Sequence, residues 1–240
     1  MKRAWLPIVA AVLVCGAVAA GCVQVKEGDP PPKEVEDAAE TAKPTQTSGE
    51  GDVLMMGRSV MYGWFDHWGW DGQNPVSDHG FTFHYAKLAS PPQIGEDASA
   101  KIAQAAPGSI VFFKLCFVDF WASSESDVNG NVDECLAYAR TAAQAAQERG
   151  VALILGNALP KVQGETTPAL VETHQRYNDG LKALASEYHG VVVFDQYSLL
   201  ISEDGSLAKG LSVSPGDSHL NDVAYDLLDA ELLNTLGSLP

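Results

Sequence analysis

The chain has 240 residues, with 15 Lys and Arg against 31 Asp and Glu and a formal net charge of −16. A surface of that sign repels phosphate backbones and anionic head groups, so nucleic acid is excluded as a partner. With 46 % hydrophobic residues, the chain has enough apolar content to bury a sizeable core.

The first element in chain order is a leader. Lys2 and Arg3 precede an apolar run from Trp5 to Val18, and Ala19-Ala20-Gly21 closes it with small residues before Cys22. The pattern resembles a bacterial lipoprotein signal, in which the Cys22 thiol receives a diacylglycerol and cleavage leaves Cys22 at the N-terminus. Ala19 stands where such signals usually carry leucine. The other reading is an uncleaved anchor helix, although crossing a bilayer takes about 20 apolar residues. Both readings place the rest of the chain in the cell envelope, on the exported side of a bacterial membrane. Loss of residues 1–21 removes Lys2 and Arg3 and no acidic residue, which leaves 13 basic against 31 acidic residues, net −18.

From Val23 to Gly49 the composition turns to Pro, Glu, Asp, Lys and Thr, with Pro30-Pro31-Pro32 followed by Glu34, Glu36, Asp37 and Glu40. Such a stretch cannot bury enough apolar surface to offset its ordering entropy and is expected to act as a tether. The expected organisation is therefore a signal at 1–21, a disordered tether at 22–49 and one domain at 50–240.

Within that domain, strands are predicted at Val53 to Gly57, Ile110 to Phe117, Val151 to Gly156 and Val191 to Asp195. Each is short, apolar and bounded by Gly, Pro or polar residues. Helices are predicted from Glu96 to Ala106, from a cap at Asn131 (with Glu134 three residues on) to Gly150, from Thr167-Pro168 to Gly190, and from near His219 onward. The third carries the stripe Leu170, His174, Tyr177, Leu181, Leu184 and Tyr188, in which His174 reads as a core histidine. Alternating strands and helices imply a parallel sheet covered on both faces. Of the cysteines, Cys15 leaves with the signal and Cys22 is the lipid site, so Cys116 and Cys135 remain in the domain. Two buried thiols are expected there, with a disulfide as the alternative.

Two separated segments carry the chemistry. Gly57-Arg58-Ser59 follows the first strand, and Asp217-Ser218-His219 precedes the last helix. Active residues of a parallel sheet gather beyond the carboxyl ends of its strands, where a serine hydroxyl can pass its proton to an imidazole held by a carboxylate. Ser59 would also open a helix whose amides favour developing negative charge. The plainer reading makes Ser59 a helix cap and assigns the same task to Asp217 or Ser218.

Together these segments resemble the SGNH, or GDSL-like, hydrolase family, over Asp52 to about Leu236. The resemblance implies a three-layer α/β/α, flavodoxin-like fold with a five-stranded parallel sheet, and hence a further strand near Phe81 to His84. It implies Ser59 as nucleophile, Asp217 and His219 as its partners, and the amides of Ser59 and Gly95 (in Gln93-Ile94-Gly95-Glu96) as oxyanion donors. Three features depart from the family pattern. Gly-Asp-Ser is Gly-Arg-Ser, which puts Arg58 beside the nucleophile, either gripping a substrate carboxylate or pointing to solvent. Gly-x-Asn-Asp becomes Cys116-Phe117-Val118-Asp119, which lacks the oxyanion asparagine, and Asn157 after the third strand listed above is the candidate substitute. Asp precedes His by two residues rather than three, a spacing shared with relatives that act on O-acetyl groups of polysaccharides.

Trp64, Phe65, Trp68 and Trp70 follow the nucleophile closely, and Trp64 and Trp68 are candidates for stacking on a sugar ring. His67, His79 and His84 with Asp66, Asp71 and Asp78 fit no metal template, so no metal or cofactor is expected. Lys114 interrupts an apolar strand, either as an ion-pair partner of Asp119 or as a site residue. The resulting expectation is a lipid-anchored carboxylic ester hydrolase that removes small acyl groups such as acetate from a glycan. The alternatives are an O-acyltransferase acting on polysaccharide and a non-catalytic glycan-binding protein on the same scaffold.

Overall fold

A computed structural model describes residues 51–239. The signal, Cys22 and the tether lie outside the described residues. No described helix is long and apolar enough to cross a membrane.

Strand β1 (Asp52–Gly57) is buried along its whole length. Val53 and Met55 enter one core, while Leu54 and Met56 enter the other, because alternate side chains of a strand point to opposite faces. Around it lie β2 (Val76–Asp78), β3 (Phe81–Lys87), β4 (Ile110–Lys114), β5 (Ala152–Gly156) and β6 (Val191–Phe194), in the order β2-β3-β1-β4-β5-β6. All pairs are parallel except β2 with β3. The five parallel strands are those expected; the sixth is a three-residue antiparallel edge. Its exposed, polar Ser77 and Asp78 give it no apolar alternation by which to be recognised.

One face of the sheet packs against α2 (Ile94–Ile102), α3 (Glu125–Arg149) and α4 (Pro168–Glu187). The other is covered by α1 (Ser59–His67) and α6 (Asp222–Gly237), with the short α5 (Gln196–Leu200) after β6. The two cores differ in filling. The first is largely aliphatic, and its α3 side is a run of buried alanines including Ala139, Ala142, Ala143 and Ala146. The second is aromatic, with Trp64, Phe65, Phe83, Phe112 and Phe194 all buried. Each such side chain contributes about 1.5–3 kcal/mol on burial.

Several boundaries differ from those expected, and each difference has a local cause. β4 stops at Lys114 rather than Phe117 because the Asp119 carboxylate accepts the Cys116 amide at 2.7 Å and draws the chain into a 3-10 turn over Phe117–Asp119. α3 starts at Glu125, capped by the Ser124 hydroxyl, so Asn131 is interior to the helix and its carboxamide is free for another task. α4 starts as expected, with Thr167 capping Leu170. The last helix starts at Asp222, with Asn221 as its cap. His219 therefore belongs to the loop before it, and neither Asp217 nor Ser218 serves as the cap.

The chain runs from β1 to β3 on one side and then crosses to β4 on the other, so the connections after β1 and β4 diverge from adjacent strand ends. Such a switch point opens a crevice at the carboxyl edge of a parallel sheet.

Candidate active site

Ser59 sits at that crevice as the first residue of α1, exposed, immediately after Gly57 ends β1. Its partner arrives from the C-terminal segment. Backbone bonds from Val213 N to His219 O and from Asn221 N to Leu211 O make a bracket that holds residues 211–221. α6 is drawn close to α1 at Gly63, where a Cβ would stand 2.4 Å from the Tyr225 hydroxyl; that hydroxyl donates to the Val60 carbonyl at 2.9 Å. This close approach sets the distance between the bracket and Ser59.

The three residues predicted from the two motifs meet here. Ser59 Oγ lies 3.0 Å from His219 Nε2, and His219 Nδ1 lies 2.7 Å from Asp217 Oδ1. The same carboxylate oxygen accepts the His219 backbone N–H at 2.9 Å, so a tight turn, rather than an extended segment, makes the two-residue spacing work. A proton on Nδ1 facing Asp217 leaves the Nε2 lone pair directed at Ser59. Partial burial works to raise the Asp217 carboxyl, but the His219 hydrogen bonds outweigh it and hold the group below its ordinary value. The ring edge of Phe117 meets His219 at a centroid distance of 4.9 Å. Ser218, between the two partners, accepts the Val162 N–H at 3.0 Å and donates to Glu165 at 3.2 Å, which fixes the bracket to the loop after β5.

The floor of the site comes from the segment after β4. Cys116 Sγ lies 3.6 Å from Ser59 Oγ. Arg58, expected to face substrate or solvent, instead forms an ion pair with buried Asp119. Asp119 in turn accepts the Cys116 amide, and its own carbonyl accepts Asn131 Nδ2 at 2.8 Å. Asn131 Oδ1 accepts the Trp121 N–H at 3.0 Å, so a single buried carboxamide from α3 holds the chain where it leaves this turn. The sequence hides this role because Asn131 looks like a cap. Cys116 and Cys135 are both free and buried. They lie in the two different cores, with Cys135 Sγ directed to the Asp119 carbonyl.

Other expected site residues do other work. Trp64 is fully buried and packs on Phe112, Phe194 and Tyr225. Trp68 packs on Phe65 and Phe83. Both indole N–H groups donate to Asp229, at 2.6 Å from Trp64 and at 3.0 and 3.1 Å from Trp68. These rings therefore wedge α1 against the sheet and α6, and neither is a sugar platform. Asn157 donates from Nδ2 to Asp195 at 2.6 Å and accepts the Tyr197 N–H at 2.8 Å. Its carboxamide is committed to the turn after β6, which leaves it unsuited to replace the missing oxyanion asparagine. Gly95 lies in the first turn of α2, where a Cβ would meet Tyr138 and Thr141 of α3 at 3.4 Å. No side chain caps that helix, and a first-turn N–H lacks an intrahelical partner.

The segments that carry the site also expose apolar side chains. Val118 (52 %) and Trp121 (48 %) project from the segment after β4, and Val213 (54 %) projects from the bracket. At the far end of α1 from Ser59, His67, Asp226 and Asp229 bring ligand atoms within 4.8 Å of one another. The carboxylates around His67 come from α6 rather than from Asp66, Asp71 and Asp78 near it in sequence.

The chain resembles several solved structures. A GDSL-like lipase from Bacteroides thetaiotaomicron matches with a TM-score of 0.51 at 14% identity, over 78% of this chain and 88% of that one. An acetylxylan esterase from Geobacillus stearothermophilus, in a catalytic mutant, matches with a TM-score of 0.52 at 15% identity, over 80% and 96%. The fold is that of the GDSL-like hydrolases. The OSK domain of Drosophila Oskar also shares it, with a TM-score of 0.54 at 12% identity, over 85% and 97%. At these identities the likeness concerns the fold, and the chemistry has to be read from the site itself. No protein-family model and no curated protein sequence matches the chain.

Proposed function

We propose that this protein is a serine-dependent carboxylic ester hydrolase. The observation that carries the proposal is the relay of Ser59, His219 and Asp217 at 3.0 and 2.7 Å. Ser59 Oγ attacks the ester carbonyl carbon as its proton passes to His219 Nε2, and the carbonyl π electrons move to oxygen. The tetrahedral intermediate then expels the alcohol, which takes the proton from His219. Water, activated by the same imidazole, releases the acid and restores Ser59. Asp217 keeps the tautomer and steadies the imidazolium. The amides of Ser59 and Gly95, each in the first turn of a helix, serve as oxyanion donors.

The acyl group is short, such as acetate, and the alcohol is a glycan. Support for a short acyl group comes from the floor, where Cys116 Sγ at 3.6 Å from Ser59 and the edge of Phe117 close off the space next to the nucleophile. Support for a glycan comes from the exposed ring of Trp121, a surface on which a sugar can stack, and from the acetylxylan esterase among the structures of this fold. Hydrolysis is preferred over transfer because the side chains of His219 (41 % exposed) and Asp217 (39 % exposed) are open to water. The leader motif supports attachment through a lipid on Cys22 to a bacterial membrane, on the exported side, with residues 22–49 as the tether. The test is turnover of a chromogenic acetyl ester and of acetylated xylo-oligosaccharide by the parent and by Ser59→Ala. The variant should retain its fold and lose ester cleavage; undiminished turnover would sink the proposal.

A further inference from the structure

Lysine is almost never buried alone, because an uncompensated ammonium in a low-dielectric interior costs far more than an aliphatic side chain in the same slot. Lys114 is 1 % exposed, and its Nζ has no hydrogen-bond partner among the described residues. It closes β4 opposite Gly156 of β5 and next to Gly57 of β1. A Cβ on Gly156 would stand 2.7 Å from Lys114 Cβ, and one on Gly57 would stand 2.7 Å from Met61 Cβ and 3.6 Å from Lys114 Cγ. Both flanking strands leave out a side chain where the lysine stem passes. The slot is shaped around this residue, although a methionine would fill it at lower cost.

The groups that act on the ammonium are the Cys116 thiol and the Asp119 carboxylate from the segment after β4 and the Arg58 guanidinium from the junction of β1 with α1. Asp119 is balanced by Arg58, so one positive charge is left over beside the thiol that touches Ser59. Tyr85 of β3 and Tyr225 of α6 stand in the field of Cys116, and burial pushes both phenols well up, so they stay neutral. Gln196, beside Gly156, brings only an uncharged amide. Asp217 is already engaged with His219.

We propose that the Lys114 ammonium stabilises the oxyanion formed at Ser59, acting through the buried floor of the site in place of the missing family asparagine. This rests on the hydrolase reading. Lys114 does not touch substrate; it is a positioning residue that sets the potential in which the anion forms. The attack of Ser59 adds a negative charge above a floor that holds an unmatched cation. Burial lowers the Lys114 ammonium from 10.5 to about 8, against the upward pull of Cys116 and Asp119. It is therefore mostly charged at neutral pH, and its charge is lost as the pH rises through about 8.

The experiment is a pair of pH profiles for the parent and Lys114→Met, one of acetyl-ester turnover and one of the rate of labelling by a fluorophosphonate. The parent kcat should fall as the pH rises through about 8. The variant should have a kcat lower by about 10- to 100-fold with KM nearly unchanged, and that fall should be absent. A purely structural lysine would not remove one limb of a pH profile. Equal kcat in the two proteins, or the same limb kept by the variant, overturns the inference. If the variant does not fold, the parent decides: a flat profile across pH 8 overturns the inference, and a fall there supports it. A parent that takes no adduct at any pH overturns the hydrolase reading together with this inference, whereas a labelled parent with an indifferent variant overturns the role of Lys114 alone.

Discussion

The relay and the floor of the site solve opposite problems. His219 and Asp217 are about two-fifths exposed, held by a bracket of backbone bonds at the surface. Arg58, Asp119 and Lys114 sit just beneath, with Asp119 and Lys114 buried and the guanidinium nearly so. Proton transfer needs access to water and substrate, and it tolerates solvent screening because its partners are in contact. Control of charge at a distance needs a low dielectric, and so it requires burial. Exposed His219 and Asp217 contribute little to packing, whereas the buried groups beneath them bear on stability as well as on the charge of the site.

Substitutions in the exposed pair and in the buried floor should have opposite effects. His219→Ala should lower turnover on the order of 10⁴-fold or more while the urea midpoint barely moves, since the side chain is exposed and gives up little packing. A large loss of stability would show that the bracket depends on its histidine. Asp119→Ala should do the reverse. It leaves Arg58 without a counter-charge and removes the acceptor of the Cys116 amide, at a cost of about 3–5 kcal/mol, measurable by urea denaturation.

Lys114→Met should move rate and stability in opposite directions. The folded-state ammonium is lowered from 10.5 to about 8, so between those values the unfolded chain binds the extra proton and stability rises with pH. Below about pH 8 the parent carries the full penalty, on the order of 3 kcal/mol, and the neutral variant should be more stable there by up to that amount. Urea titrations at pH 7 and pH 10 would measure it, and a variant less stable than the parent at pH 7 would contradict the assignment. The smallest effect should come from Trp121→Ala, which touches neither the relay nor the floor. KM for an acetylated oligosaccharide should rise a few-fold, on the scale of one stacking contact, with KM for a small chromogenic ester unchanged.

Much of this layout is legible in the chain. The parallel strands announce themselves because burial on both faces leaves continuous apolar runs such as Val53 to Met56. Ser59 and the Asp217–His219 pair are legible because the one follows a strand and the other precedes a helix, and because the chemistry they would serve requires those residue types. What is not legible depends on tertiary partners. Asn131 carries the signature of a cap, yet Ser124 takes that task and frees the carboxamide to pin the site turn. Asn157 looked suited to bind an oxyanion, but Asp195 and Tyr197 come from a separate strand end to claim it. Trp64 and Trp68 follow Ser59 closely, yet their spacing with Val60, Met61 and Phe65 is the stripe of a helix that buries one face. The antiparallel β2 left no pattern at all, because its pairing with β3 supplies the whole reason for its conformation.

The measurement that bears most directly on the central claim is the intact mass of the purified protein after exposure to a fluorophosphonate, with Ser59→Ala treated alongside. An activated serine predicts one adduct on the parent, mapped to Ser59 by peptide digestion, and none on the variant. A folded parent that takes no adduct, or an adduct that survives in Ser59→Ala, would contradict the account.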